Sequence, residues 1–143
     1  MLVSGVLKNK GDMVFTASPG DTVAAVAALL HERRVGAMVV VEGDRAVAGI
    51  VSERDIVRLV AEFGADALGK PISDCMTRDV IFAQPDETVD SLLERMTDRR
   101  IRHLPVCVDK HLVGIVSIGD LVKIKIAETV AEAEGLRAYI SAA

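Results

Sequence analysis

The chain has 143 residues, half of them hydrophobic, with aromatics at only 3%, no tryptophan and a formal charge of −4. That length fits one domain or two small repeats with a shared core packed by Val, Ala, Leu and Ile, and the charge excludes a general nucleic-acid binder. Cys75 and Cys107 lack a CxxC or a paired spacing with His31, His103 or His111, which excludes a zinc site or disulfide framework; the start lacks a signal-peptide pattern and no apolar run reaches bilayer length.

In chain order, Leu2, Val3, Val6 and Leu7 predict a short amphipathic helix over 1–9 that packs on the adjoining part of the chain, broken at Gly11-Asp12. An extended stretch is expected over 13–17, then a turn at Ser18-Pro19-Gly20-Asp21. Val23, Val26, Ala27 and Leu30 share one face of a helix over 22–34, with Arg33 and Arg34 in its last turn and Gly36 as its expected stop. The apolar run 37–41 suits a strand covered on both faces, and Glu42-Gly43-Asp44 turns it into a returning strand over 47–51. Ser52 opens a helix to Phe63 with Ile56, Val57 and Val60 as its expected stripe, and 64–70 reads as a linker.

From about 73 the pattern recurs. Pro85 answers Pro19, Thr88-Val89 answers Thr22-Val23, and Val89, Leu92, Leu93 and Met96 reproduce the helical stripe. Strands are expected over 103–108 and 112–116, with a turn at Asp109-Lys110 and a closing helix over 120–127. Asp55 and Asp120 are 65 positions apart, too long for a solenoid period and right for a duplicated β-α-β-β-α unit whose copies share a core around a pseudo-twofold axis. The fold class expected is therefore α+β, with repeats at 9–65 and 71–127 and a helical extension over 128–143 in which Gly135 is a weak point.

Two stretches carry the chemistry: Gly49-Ile50-Val51-Ser52-Glu53-Arg54-Asp55 and Gly114-Ile115-Val116-Ser117-Ile118-Gly119-Asp120. Each reads as a strand end running into a helix, where free backbone N–H groups suit an anion and the Asp suits paired hydroxyls. The same Ser-to-Asp spacing is also a capping box. Capping accounts for the spacing, not for recurrence of the whole unit.

These two stretches, with Cys75-Met76-Thr77 and Arg102-His103-Leu104-Pro105-Val106, resemble a pair of cystathionine β-synthase-type (CBS) domains over about 9–127. The resemblance implies an adenosine-type ligand such as AMP, ATP or NAD(H) in a cleft between repeats, with Asp55 and Asp120 on ribose hydroxyls and Ser52 and Ser117 on phosphate. Given that ligand, 14–17 (with Thr16 and Ala17), Ala37 and Met38 are expected to line one adenine slot, and 80–83 (with Ile81 and Ala83), Leu104 and Pro105 the other. Arg54, Arg100, Arg102 and His103 are the candidate phosphate cations. The copies differ: Arg54 stands where the second has Gly119, and Arg102-His103 where the first has Gly36-Ala37.

The function expected is a regulatory binding module, cytoplasmic and with no membrane or nucleic-acid partner, that signals to a separate, unidentified protein. A structural dimerisation module without a nucleotide is the alternative. No nucleophile, base and orienting group assemble in the sequence, so neither an enzyme nor a catalytic cofactor or metal is expected. A homodimer is expected, built on surplus apolar surface at Val23, Val26, Leu30, Val89, Leu92 and Met96.

Overall fold

A computed structural model describes residues 1–11 and 14–142. The expected break at Asp12, the start of the extended stretch at Met13, and Ala143 lie outside the described residues. The elements are α1 (Val3–Lys10), β1 (Thr16–Ala17), α2 (Val23–Arg33), β2 (Ala37–Glu42), β3 (Ala46–Ser52), α3 (Glu53–Phe63), α4 (Val89–Arg99), β4 (His103–Val108), β5 (His111–Ser117) and α5 (Ile118–Ala142). Short 3-10 segments, Gly64–Gly69 and Ile72–Asp74, join the halves. The region expected to be a linker, 64–70, thus forms a 3-10 segment with Ala67 fully buried, and Ile72 just beyond it is buried too.

The sheet order β1-β2-β3-β5-β4 follows from the duplication. β2 and β3 pair antiparallel with a register shift between Val40 and Val41; β4 and β5 pair likewise with a shift between Val106 and Cys107. β1 lies parallel to β2 through Ala17 and Val40, and the second copy reproduces this as a bridge between Ala83 and Val106. The hairpins join where Ala46 pairs antiparallel with His111. Those two residues occupy equivalent positions in the two copies, so a pseudo-twofold axis passes between them.

Local chemistry sets the helix ends. Thr22 and Thr88 each accept a hydrogen bond from a backbone N–H three residues on, at 3.1 Å, and so cap α2 and α4. Gly36 does not stop α2: Arg34 does, in the left-handed conformation at φ 55°, and Arg100 ends α4 in the same way at φ 54°. The expected stripe of α3 also needs correction. Leu59 faces inward beside Ile56, whereas Val57 is 66% exposed and Val60 is exposed.

Two cores result. One gathers Val23, Val26, Leu30, Met38, Val51 and Ile56; the other gathers Val89, Leu92, Met96, Leu104, Val116 and Leu121. The six residues expected to supply surplus dimer surface are therefore inside the chain's own cores. Each core is completed by the segment that leads into the other copy. Ile72 and Met76 belong to the first core, held by Ile72 N–H donating to the Asp21 carbonyl at 2.7 Å. Val3 and Val6 belong to the second, held by Val3 N–H donating to the Glu87 carbonyl at 2.9 Å. Helix α1 thus packs on the distant repeat rather than on the one adjoining it in sequence. α5 runs as one helix of 25 residues straight through Gly135.

Candidate nucleotide cleft

The exchange of leading segments creates the site. Thr77 pairs with Ile50 of β3 through two backbone hydrogen bonds of 2.8 and 3.0 Å, which brings 77–81 beside the start of α3. Gly49 permits this approach: a Cβ there would lie 2.7 Å from the Thr77 carbonyl oxygen and 2.9 Å from the Met76 sulfur. The pseudo-twofold brings the start of β4 to the opposite wall. The result is an open cleft of about 600 Å³, in the range of small-molecule sites.

Ser52 and Asp55 form a complete capping box at the N-terminus of α3. The Asp55 carboxylate accepts from Ser52 N–H at 2.8 Å and from the Ser52 hydroxyl at 3.1 Å, while its other oxygen accepts from Arg58. Asp55 is the only charged residue in the buried set among the described residues. Four arginines, Arg54, Arg58, Arg100 and Arg102, line the cleft with His103, against the carboxylates of Glu53, Asp55 and Asp79. Burial, then the Lys10 cation, hold His103 below its usual pKa, so its ring is neutral at pH 7. The ring lies against Gly36, where a Cβ would meet it at ordinary van der Waals contact, 3.4 Å.

Nine of the sequence-based site residues meet in this cleft: Ala37, Ser52, Arg54, Asp55, Ile81, Arg100, Arg102, His103 and Pro105. The structure places the others elsewhere. Ala17, Met38, Ala83 and Leu104 are buried in the two main cores; along β2 and β4 alternation turns Met38 and Leu104 away from the cleft that Ala37, His103 and Pro105 line. Thr16 is exposed on β1. Ser117 and Asp120 are at the start of α5, where the Ser117 hydroxyl accepts from Asp120 N–H and the Asp120 carboxylate accepts from Ser117 N–H and, at 2.7 Å, from Lys10. The slots drawn within single copies thus give way to one cleft lined by both.

Lining residues to which the sequence assigns no ligand role include Glu53, Arg58, Thr77, Asp79 and Ile101. Arg58 follows Asp55 by three positions and shares its helix face, a legible spacing. Thr77 lies in the Cys75-Met76-Thr77 stretch, but nothing local announces that it crosses to β3. The Cys75 thiol near Asp55 and Arg58 is pushed up by burial and by the Asp55 charge, which leaves it protonated and a poor nucleophile.

The model of the family described as "CBS domain" matches residues 11–62 and 72–127. Among solved structures, the CBS-domain containing protein ATU1752 from Agrobacterium tumefaciens superposes with a TM-score of 0.84 at 42% identity, covering 87% of this chain and 99% of that one. The CBS domain pair of protein MJ0100, whose structure is described as a complex with 5-methylthioadenosine and S-adenosyl-L-methionine, gives 0.80 at 27% identity over 90% of this chain and 98% of that one. The mitochondrial CBS domain-containing protein CBSX3 of Arabidopsis thaliana is 36% identical over 146 residues, spanning 96% of this chain and 71% of its own length.

Proposed function

This chain belongs to the CBS-domain family, and from that premise we propose that it is a regulatory module whose cleft at Asp55 takes an adenine nucleotide or dinucleotide: AMP, ATP or NAD(H). One observation carries the reading. A buried carboxylate at a helix N-terminus faces a cleft in which four arginines converge. A ribose diol donates to Asp55 once Arg58 swings aside, and Arg58 can, being 69% exposed. Phosphates then reach Arg54, Arg100 and Arg102 beside the positive end of α3. Ala37, Ile81 and Pro105 supply apolar surface for the base. The adenosine-type ligands of the MJ0100 pair support the same ligand class.

The response passes to a separate protein, and the module works as a homodimer. Both thiols are free, which suits a reducing compartment such as the cytoplasm. Calorimetric titration with AMP, ATP, NADH and S-adenosylmethionine tests the proposal: binding that Asp55→Ala weakens supports it, and no binding by any of them at millimolar concentration overturns it. A structural module without a nucleotide draws on a different observation, that hydrogen bonds within the chain already occupy both oxygens of Asp55. Under that reading no nucleotide raises the melting temperature, whereas a ligand bound only to the folded state must raise it with concentration.

A further inference from the structure

We propose that α5, from Val122 onward, pairs in parallel with the same helix of a second copy of this chain. The inference rests on the homodimer reading and names its surface.

Helix α5 leaves the module after Glu128, which anchors it by accepting a hydrogen bond from the Met1 amine at 3.1 Å. Leu121 and Ile124 face the chain's own core. Every described residue from Thr129 to Ala142 is exposed. A projecting helix of that length is marginal in water unless a partner covers an apolar face. Such a face exists on the side away from the module. Val122, Ile126, Thr129, Ala133, Leu136 and Ile140 recur with alternating steps of four and three, the heptad spacing of a coiled-coil seam. Within it Val122, Ile126, Leu136 and Ile140 are all exposed, Leu136 at 61% and Ile140 at 65%.

Charge selects the occupant and its direction. In a parallel pair of identical helices, Glu132 of each copy flanks the seam opposite Arg137 of the other, the spacing of an interhelical ion pair. In the fully overlapped antiparallel pair the same helices set Glu132 against Glu132 and Lys123 against Arg137, two repulsions. Ile126 and Ile140 fall at the positions where β-branched residues favour two strands, with Leu136 at the complementary one. Thr129 and Ala133 make the seam short and weak at its middle, and Val130 on its flank widens the apolar stripe.

The test measures solution mass by light scattering on the full chain at micromolar concentration. The wild type is expected to run as a dimer and Ile126→Glu/Leu136→Glu as a folded monomer; both substituted side chains are exposed, so the melting temperature serves as the control for folding. Glu132→Arg is expected to weaken the dimer, and Glu132→Arg/Arg137→Glu to restore it. In a Cys75→Ser background, Ile140→Cys is expected to cross-link two copies under mild oxidation, which an antiparallel pair cannot do. A monomeric wild type overturns both the homodimer reading and this inference. A dimer that survives Ile126→Glu/Leu136→Glu overturns this inference alone and leaves a dimer built on other surfaces. Loss of the dimer in that variant without cross-linking by Ile140→Cys overturns the parallel arrangement. Ile126 and Leu136 do not line the cleft, so nucleotide titration of the Ile126→Glu/Leu136→Glu variant tests the cleft reading separately.

Discussion

Lys10 and Asp120 lie 110 positions apart, and their charged groups meet at 2.7 Å. The same ammonium donates to the Ile115 carbonyl at 2.9 Å. In the first copy the equivalent carbonyl, that of Ile50, accepts from the backbone N–H of Thr77. A lysine side chain from α1 thus does in one copy what a backbone group does in the other, and it takes up the carboxylate whose twin, Asp55, faces the cleft.

This arrangement makes Asp120 a stability residue. Burial acts to raise its pKa, but hydrogen bonds from Lys10 and from the Ser117 backbone outweigh it and hold the carboxyl below the usual carboxylate range. A folded-state pKa below the unfolded one gives stability that is complete above the unfolded value of 3.8 and is lost as pH falls from there through the folded value. Asp120→Ala is expected to cost about 1 kcal/mol near neutral pH, the sum of a first-turn acid and a partly exposed ion pair. Denaturant unfolding of Asp120→Ala, Lys10→Met and the double variant checks this. A coupling energy of zero would mean that the Lys10–Asp120 contact contributes nothing.

Asp55 should behave in the opposite sense. Hydrogen bonds to charged acceptors contribute about 1.5–3 kcal/mol each, so Asp55→Ala is expected to weaken nucleotide binding by about tenfold to a few hundredfold. Asp120→Ala is expected to leave affinity at the Asp55 cleft within about twofold, a few tenths of a kcal/mol. Titrating both variants with the same nucleotide decides the matter. A larger loss from Asp120→Ala would move the principal site to the second copy, where Arg102 and His103 belong by sequence.

How far these roles are legible in the sequence depends on the range of the interaction. The Ser52-to-Asp55 and Ser117-to-Asp120 spacings are local, and both caps form at those positions. The stripes of α2 and α4 follow from helical periodicity: Val23, Val26, Leu30, Val89, Leu92 and Met96 are buried, and Ala27 and Leu93 are half-buried at their edges. Periodicity says which face of α1 is apolar, but not which core receives it, and so Val3 and Val6 end up with Leu92 rather than with Val26. The same limit hides the pairing of Thr77 with Ile50, and hence the fact that both repeats line the cleft. Met38 and Leu104 escape a correct placement for another reason: a continuous apolar run carries no alternation to say which side chains face the core.

The two strand glycines should differ in their tolerance of a methyl group. At Gly49 a Cβ would meet the Thr77 carbonyl oxygen, which is fixed by its hydrogen bond from Ile50 N–H at 3.0 Å. At Gly114 it would lie 2.5 Å from Leu7 Cδ2, the end of a flexible side chain. Gly49→Ala is therefore expected to cost about 1–3 kcal/mol as overpacking against backbone, with a smaller cost for Gly114→Ala. Adding Leu7→Ala should relieve the clash at Gly114. Equal costs at the two positions would show that the Thr77 segment moves as readily as a leucine side chain.

His103 gives the cleft a pH response. Its pKa in the folded chain is lowered, first by burial and then by Lys10. The unfolded chain therefore takes up the proton first, so the contribution of His103 to stability is constant above its ordinary pKa of 6.5 and falls as pH drops below it. Binding carries the opposite sign. A phosphate placed near the ring favours the imidazolium, raises the His103 pKa and makes binding take up protons. Affinity should then strengthen as pH falls from 8 toward 6, approaching tenfold for each unit by which the ligand raises the pKa. A nucleotide's own phosphate can titrate in the same range, so the informative quantity is the difference between wild type and His103→Gln measured with one ligand. That difference should vanish at pH 8 and grow as the solution is acidified. Identical pH profiles for the two proteins would place the phosphates away from β4 and leave Arg54 at the start of α3 as their principal contact.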